Sequence, residues 1–213
     1  MKVGIIGSGD VGKSLGKGFI AAGHQVKIGS RSPEKLNDWA KSAGASTGTF
    51  EEVARFGEVI VLVTLGAAAE EALRLAGQKN FDGKVVLDVT NPLKIEPGKP
   101  PSLFVGGTDS LGERVQKWVP RAKVVKAFNT VGNAFFYKPQ FPGGPPDMFI
   151  AGNDAEAKTS ATKICRDFGW GVIDIGGIEG SRYLEAMCMT WVLHGVVSGS
   201  WNHAFKMLHL SRA

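Results

Sequence analysis

Short apolar runs alternate along the chain with longer segments in which apolar residues recur every three or four positions. The short runs cover residues 2–7, 25–29, 59–64, 85–90, 123–128, 147–151 and 171–175. Their length and their content of β-branched residues predict β-strands. Because the run at 59–63 is apolar at every position, both of its faces are expected to be buried. Such strands are typical of a parallel sheet covered by helices on both sides.

The longer segments predict helices at residues 11–22, 33–43, 67–76, 110–118, 154–168 and 181 to about 210. Ser32 before Pro33, and Asp154 before its apolar segment, are residue types that begin helices. Regular alternation of strands and helices predicts one α/β domain over residues 1–180. Residues 181–213 are expected to form a small C-terminal helical extension that contributes to a cleft and to a subunit contact.

A glycine-rich turn follows the first predicted strand and opens the first predicted helix. Its sequence matches the pattern G-x-G-x-x-G through Gly7, Ser8, Gly9, Asp10, Val11 and Gly12. In that context the first glycine permits a tight turn, the second admits a pyrophosphate, and the third lets helix and strand pack closely. The N-terminus of the helix supplies N–H groups to the phosphates. The turn therefore predicts a Rossmann-type, doubly wound, mostly parallel sheet that binds a dinucleotide.

The end of the second predicted strand indicates which dinucleotide binds. Sites for NAD place an acidic residue there to bind the ribose 2′-hydroxyl. This chain has Ser30, Arg31 and Ser32 at that point, with Lys35 one turn later. An arginine can bind a 2′-phosphate through paired N–H donors, and serine hydroxyls add hydrogen bonds. These residues predict NADP.

The ends of three further strands are expected to line the nicotinamide half of the cofactor, because ligands bind beyond the carboxyl ends of strands in open α/β sheets. The residues at these ends are Thr64 and Leu65, Asn91 and Pro92, and Ala127, Phe128, Asn129 and Thr130. Thr64 could instead serve as a helix cap. The sequence offers no acid–base pair, so no catalytic residue is assigned; hydride transfer between stacked rings depends mainly on orientation.

The composition of the chain limits the kinds of ligand and partner that it is expected to bind. The net charge of +5 and the pI near 9.2 favour anionic ligands. The basic residues are scattered rather than clustered, which argues against nucleic acid. Cys165 and Cys188 are expected to be reduced core thiols, and His194, His203 and His209 lack the spacing of a shared metal site. With no signal peptide or membrane span in the sequence, we expect a cytoplasmic protein.

Several motifs together resemble the F420-dependent NADP oxidoreductase family. They are the opening residues 3–12, Gly29-Ser30-Arg31, Asp88-Val89-Thr90-Asn91-Pro92, Lys126-Ala127-Phe128-Asn129-Thr130 and Ser181-Arg182-Tyr183-Leu184-Glu185. The resemblance extends from residue 1 to about 207. It implies NADP binding by Ser8 to Val11, Ser30, Arg31 and Lys35, with Thr64 and Ala127 near the nicotinamide. It also implies hydride transfer between NADPH and a deazaflavin, coenzyme F420. The NADPH domain of membrane ferric reductases, which use a flavin such as FMN or FAD, shares this fold.

Two alternative functions remain open at this stage. An NADP-dependent dehydrogenase or imine reductase begins with a similar half-domain, but the dehydrogenases need a lysine on a later helix. This chain has none between residues 181 and 205. The other alternative is a regulatory module that binds NADP without turnover.

The last predicted helix carries an apolar stripe of Leu184, Met187, Cys188, Trp191 and Gly195. Its length, and the spacing of Gly195 and Gly199, predict a homodimer contact. Arg182 and Glu185 are expected to form an ion pair within the helix, or else to reach the ligand cleft.

We expect a flat redox acceptor to bind in a cleft beside the nicotinamide. The walls of this cleft are expected to be Asn129 and Thr130, the aromatic residues Phe135, Phe136 and Tyr137, and the start of the last helix. Asn129 is expected to supply amide hydrogen bonds. Phe135 and Phe136 could instead cover the sheet.

Overall fold

Eight strands form one sheet in the computed structural model, which describes residues 1–210. In chain order these strands are β1 (Lys2–Ile6), β2 (Gln25–Gly29), β3 (Ser46–Gly48), β4 (Val59–Leu62), β5 (Val85–Asp88), β8 (Lys123–Lys126), β9 (Asp147–Gly152) and β10 (Gly171–Asp174). Their order across the sheet is β10-β9-β8-β5-β4-β1-β2-β3. All neighbours are parallel except β8 and β9, which are antiparallel. A separate hairpin pairs β6 (Leu93–Lys94) with β7 (Ser102–Leu103).

Helices cover both faces of the sheet. They are α1 (Asp10–Ala21), α2 (Asn37–Ala43), α3 (Phe50–Phe56), α4 (Ala69–Ala76), α5 (Leu111–Trp118), α6 (Ala155–Asp167) and α7 (Ser181–Ser198). Phe19 of α1 and Ile164 of α6 belong to one buried cluster, whereas Val53 of α3 and Leu73 of α4 belong to another on the opposite face. The sequence-based fold class, a doubly wound and mostly parallel α/β sheet with a C-terminal helix, is confirmed.

Helix capping explains several of the helix starts. Asp154 accepts a hydrogen bond from the N–H of Ala157 at 2.8 Å, as expected for an N-cap. Ser110 caps α5 in the same way, through the N–H of Glu113. Ser32, in contrast, makes no side-chain cap, and residues 33–36 form a 3₁₀ turn before α2.

The sequence analysis missed the edge strand β3 and the helix α3 that follows it. Both are short, and only one face of α3 is apolar. Its start is fixed by a capping box, in which the Thr49 hydroxyl accepts from the N–H of Glu52 and the Glu52 carboxylate accepts from the N–H of Thr49. Thr49 and Glu52 have the spacing of this motif, so it could have been recognised in the sequence.

The predicted extent of the last helix was wrong. α7 ends at Ser198, because Gly199 adopts a left-handed conformation with φ of 68°. The chain then turns back along the molecule, where the N–H of Asp147 donates to the carbonyl of Phe205 and the N–H of Met207 donates to the Asp147 carboxylate. We call residues 200–207 the C-terminal strap. Of the expected extension 181–213, the last three residues lie outside the described part of the chain.

The roles expected of Gly195 and Gly199 were also wrong. A Cβ at Gly195 would meet the indole ring of Trp201, so this glycine admits a side chain of the strap rather than a second backbone. Gly199 ends the helix. Val196 and Val197 on α7 remain 54% and 87% exposed, and the homodimer stays a prediction. Within residues 1–210, no helix has the length and apolar content needed to cross a membrane.

Candidate functional site

The glycine-rich turn between β1 and α1 has the geometry of a phosphate cradle. Gly7 has φ of +121°, which side-chain-bearing residues rarely adopt, and a Cβ there would collide with the backbone of Val63. A Cβ at Gly12 would overlap with the carbonyl oxygen of Gly7. A Cβ at Gly9, in contrast, would meet nothing within 4 Å. The turn is therefore closed where helix and strand pack, and open above Gly9.

The first turn of α1 faces this opening. The N–H of Lys13 donates to the carbonyl of Gly9, so the N–H groups of Asp10, Val11 and Gly12 precede the first bond within the helix. Ser8 is half-buried beside them. Unpaired N–H groups at a helix N-terminus bind phosphate oxygens. The Asp10 carboxylate is exposed at the same helix start and contributes negative charge there.

The end of β2 presents a basic, hydroxyl-rich surface next to the cradle. Ser30 follows the strand and accepts a hydrogen bond from the N–H of Ser32 at 3.1 Å. Arg31 and Lys35 are exposed, and neither forms an ion pair within residues 1–210. Since β1 and β2 are adjacent and parallel, this surface lies at the same edge as the glycine-rich turn. It can accept a phosphate group.

An amide pair links the carboxyl ends of β5 and β8. Asn129 donates to the side-chain oxygen of Asn91 and to the carbonyl of Leu184, each at 3.0 Å, and Asn91 donates to the carbonyl of Asn129 at 2.9 Å. Asn129 is 3% exposed, and its Oδ1 has no partner within the described chain. The amide can therefore accept a hydrogen bond from a ligand, but its donors are already used.

The other residues expected near the nicotinamide differ in what they can offer. Thr64 has a buried hydroxyl without a partner among the described residues, and Leu65 is 83% exposed. Pro92, Ala127 and Thr130 are buried.

Phe128 is a correction to the expected contacts. It adopts a left-handed backbone conformation with φ of 58°, and its ring packs in the core against Phe136 and Phe168. A ligand contact from Phe128 would have to use its backbone.

A fully buried ionic cluster lies directly beneath the carboxyl ends of β5 and β8. The ammonium group of Lys126 contacts the carboxylates of Asp88 at 2.7 Å and Glu185 at 2.9 Å, and donates to the carbonyl of Thr90 at 2.8 Å. None of the three charged side chains is more than 1% exposed. Burial alone would lower the pKa of Lys126, but the charges of Asp88 and Glu185 outweigh it and raise the pKa.

Glu185 also joins α7 to α5, because its carboxylate accepts from the N–H groups of Leu111 and Gly112 at 2.9 Å each. The ion pair expected within α7 was therefore wrong. Arg182 instead pairs with Glu113 of α5, and the hydrogen bond from Arg182 holds the pKa of Glu113 below its usual value. One signal of the cluster is visible in the sequence, since Asp88 and Lys126 are charged residues within predicted strands that are mostly apolar.

An open cavity of about 390 Å³ lies beside the segment that follows Thr130. Its lining residues are Gly132, Asn133, Ala134, Phe135, Trp191, Trp201 and Asn202. The expected acceptor walls are thus corrected in part, since Phe135 lines the cavity whereas Phe136 is 1% exposed and packs edge-on against Phe128. Tyr137 packs against Phe168 instead. The strap supplies Trp201, which the sequence analysis did not consider.

The cavity has no evident acid or base, since none of its seven described lining side chains titrates near neutral pH. His203 stacks on Trp191 at 4.7 Å behind the wall and contacts His194 edge-on. No metal-binding group of histidine, cysteine and acidic residues occurs within residues 1–210. Burial raises the pKa of both thiols, that of Cys188 to about 12, so neither is a ready nucleophile.

Comparisons with known proteins show which family this chain belongs to. The profile of the family described as NADP oxidoreductase, coenzyme F420-dependent, matches residues 2–92. The F420-dependent NADP reductase of Methanocaldococcus jannaschii is 31% identical over 203 residues, which span 88% of this chain and 89% of that protein. A crystal structure of an F420-dependent NADP-reductase homologue from Arthrobacter sp. FB24 superposes with a TM-score of 0.93 at 35% identity, covering 98% of this chain and 100% of that one.

A second group of relatives is longer than this chain. Metalloreductase STEAP3 of Rattus norvegicus is 30% identical over 186 residues, which span 87% of this chain but 36% of that protein. The match to the Methanocaldococcus reductase, in contrast, extends over nearly the whole length of both proteins. This chain therefore belongs to the F420-dependent NADP oxidoreductase family.

Proposed function

We propose that this chain binds NADP(H) across the carboxyl ends of β1, β2 and β4 and exchanges a hydride with a flavin-like ring held in the cavity beside Phe135. The observation that carries the proposal is the glycine-rich turn, which is open only above Gly9 and lies near Arg31, in the loop that follows the neighbouring strand β2. This arrangement fits a pyrophosphate next to a phosphorylated ribose.

Each part of the site has a separate task in this proposal. The N–H groups at the start of α1 bind the pyrophosphate, while Ser30, Arg31, Ser32 and Lys35 bind the 2′-phosphate. The buried hydroxyl of Thr64 and the free Oδ1 of Asn129 can each complete a hydrogen bond to the nicotinamide half, because both atoms lack a partner among the described residues. Burying such atoms unpaired is unfavourable, which favours a ligand that pairs them.

Replacement of Arg31 by alanine tests the nucleotide half. We expect NADPH to bind the wild-type protein at least about tenfold more tightly than NADH, as one charge-assisted pair of hydrogen bonds would give. The substitution should remove most of this preference and barely change the affinity for NADH. Titration calorimetry with both nucleotides measures the effect. An equal loss for NADPH and NADH would assign Arg31 a structural role, and no binding of either to the wild type would refute the proposal.

The cavity favours a planar acceptor. Phe135, Trp191 and Trp201 surround it, and aromatic rings stack on flat heteroaromatic systems. The Methanocaldococcus relative is named for its dependence on F420, a deazaflavin. FMN and FAD carry rings of similar shape, and we include them as candidates. Onward reduction of ferric iron, suggested by the metalloreductase relatives, would require the flavin to pass electrons on.

The residues around the cavity do not favour reduction of a carbonyl or an imine. That chemistry needs a group that donates a proton to the substrate. α7 contains no lysine, and the cavity lining offers no acid. Oxidation of NADPH in the presence of F420, FMN, FAD, riboflavin and ferric chelates in turn would identify the acceptor. Turnover with none of them would favour an NADP-binding regulatory module.

A further inference from the structure

The buried cluster of Asp88, Lys126 and Glu185 holds more negative than positive charge. It contains two carboxylates and one ammonium group, all shielded from solvent. The carboxylate of Glu185 faces donors on both oxygens, namely Lys126 and the N–H groups of Leu111 and Gly112. A carboxyl proton there would point at another donor. Asp88 likewise faces Lys126 and the N–H of Thr90. Hydrogen-bond donors thus face both acids, and two carboxylates with one ammonium group give the cluster a net charge of −1.

Stability alone does not account for this cluster. Buried ion pairs can be replaced by apolar residues of similar volume with little or no loss of stability. Three buried charges are less favourable than a balanced ion pair, because one of them lacks a counter-charge. The N-terminus of α5 offsets the excess only in part, because a helix end carries about half an elementary charge.

The position of the cluster connects it to the site. Asp88 and Lys126 are the last residues of β5 and β8. Asn91 and Asn129, the amide pair with the free acceptor, follow each of them by three positions. Thr90, whose carbonyl accepts from Lys126, precedes Asn91, and Asn129 donates to the carbonyl of Leu184, the neighbour of Glu185. Since one residue spans at most about 3.6 Å, the cluster lies within about 10 Å of the atoms that would meet the nicotinamide.

We propose that this excess negative charge makes the site favour the oxidised nicotinamide over the reduced one. The inference rests on the proposed function. When a hydride, which is one proton with two electrons, moves to the acceptor, a C–H bond of the nicotinamide breaks and its ring is oxidised to a cation. A new bond to hydrogen forms on the acceptor ring, which is reduced and carries the added negative charge until it takes a proton from solvent. A buried negative charge at that distance attracts the cation and does not act on the neutral ring. Asp88, Lys126 and Glu185 thereby support hydride donation without touching either ring.

Equilibrium binding of NADP⁺ and NADPH tests this inference without any turnover. Glu185→Gln and Asp88→Asn each remove one negative charge, from different elements and with different hydrogen bonds disturbed. Each should shift the ratio of the two dissociation constants by about fivefold in favour of NADPH, as expected for one charge at this distance in a partly screened interior. Damage to the fold alone would weaken the binding of NADP⁺ and NADPH to the same extent and leave the ratio of their dissociation constants unchanged.

Two controls separate charge from packing. Glu185→Asp shortens the side chain but keeps its charge, so the ratio should stay at the wild-type value even if both ligands bind more weakly. Glu156→Gln removes the charge of an exposed residue that pairs with Lys123, at the amino end of β8. This substitution should leave the ratio of the two dissociation constants unchanged. Should the single variants fail to fold, the triple variant Asp88→Asn, Lys126→Met and Glu185→Leu makes the cluster neutral and should show the same shift.

The outcomes are distinct. An unchanged ratio in the folded, charge-neutralised variants would overturn the inference and leave the proposed function intact. An equal shift in Glu156→Gln would also overturn it. Failure of both nucleotides to bind the wild-type protein would overturn the proposed function and the inference together.

Discussion

Replacement of Phe136 by alanine is expected to lower the free energy of unfolding by about 3–5 kcal/mol, the usual effect of removing a buried phenyl ring. Phe136 is 1% exposed, and its ring packs edge-on against Phe128 in the larger core cluster. Any folded fraction should keep the wild-type KM for the acceptor. Thermal unfolding and steady-state kinetics measure the two effects.

Phe135→Ala is the matched variant one position away, with the opposite expectation. Phe135 lines the cavity and packs against Phe141 in the loop before β9. Its loss should raise the KM for a ring acceptor about tenfold, from lost stacking and contact area, while the melting temperature and NADPH affinity stay near wild type. A large fall in melting temperature with an unchanged KM would place Phe135 in the core as well, and the acceptor site beside it would have to be withdrawn.

The glycines of the first turn give a second matched pair. A methyl group at Gly9 would occupy open space, and its φ of −72° suits alanine, so Gly9→Ala should fold normally. The methyl group would stand where a pyrophosphate approaches the backbone, so NADPH should bind at least about tenfold more weakly.

Gly12→Ala should instead destabilise the fold, because its methyl group would overlap with the carbonyl oxygen of Gly7 and separate α1 from β1. Calorimetric binding and thermal unfolding of both variants separate the two roles. Wild-type NADPH affinity in Gly9→Ala would mean that the phosphates do not cross this turn.

The sequence was sufficient to predict seven of the eight strands of the sheet, most of its flanking helices and the position of the glycine-rich turn, because each rests on local patterns. The seven predicted strands are present, and the glycine motif lies between a strand and a helix as expected. The ends of elements were harder to predict. Gly199 looked like a packing glycine within a long apolar helix, but its left-handed conformation ends the helix.

The parts of the site that depend on long-range contacts could not be derived from patterns. The spacing of Arg182 and Glu185 predicts an ion pair within the helix, but Glu185 contacts Lys126 and the start of α5. Phe135 and Phe136 are neighbours of the same type, and only the fold shows that one faces the cavity and the other the core. Trp201 reaches the cavity because the C-terminal strap folds back onto the molecule after Gly199. No repeat or motif in the sequence predicts this path.

Transfer of deuterium tests the central claim most directly. NADPH labelled with deuterium at the transferred position would be mixed with the wild-type protein and each of F420, FMN and FAD in the absence of oxygen. If the chain is an NADPH-dependent oxidoreductase of a flavin-like ring, at least one acceptor should be reduced with a slower rate for the labelled nucleotide, and for F420 the label should be found on the deazaflavin carbon. Binding of NADPH without reduction of any of these acceptors would contradict the account.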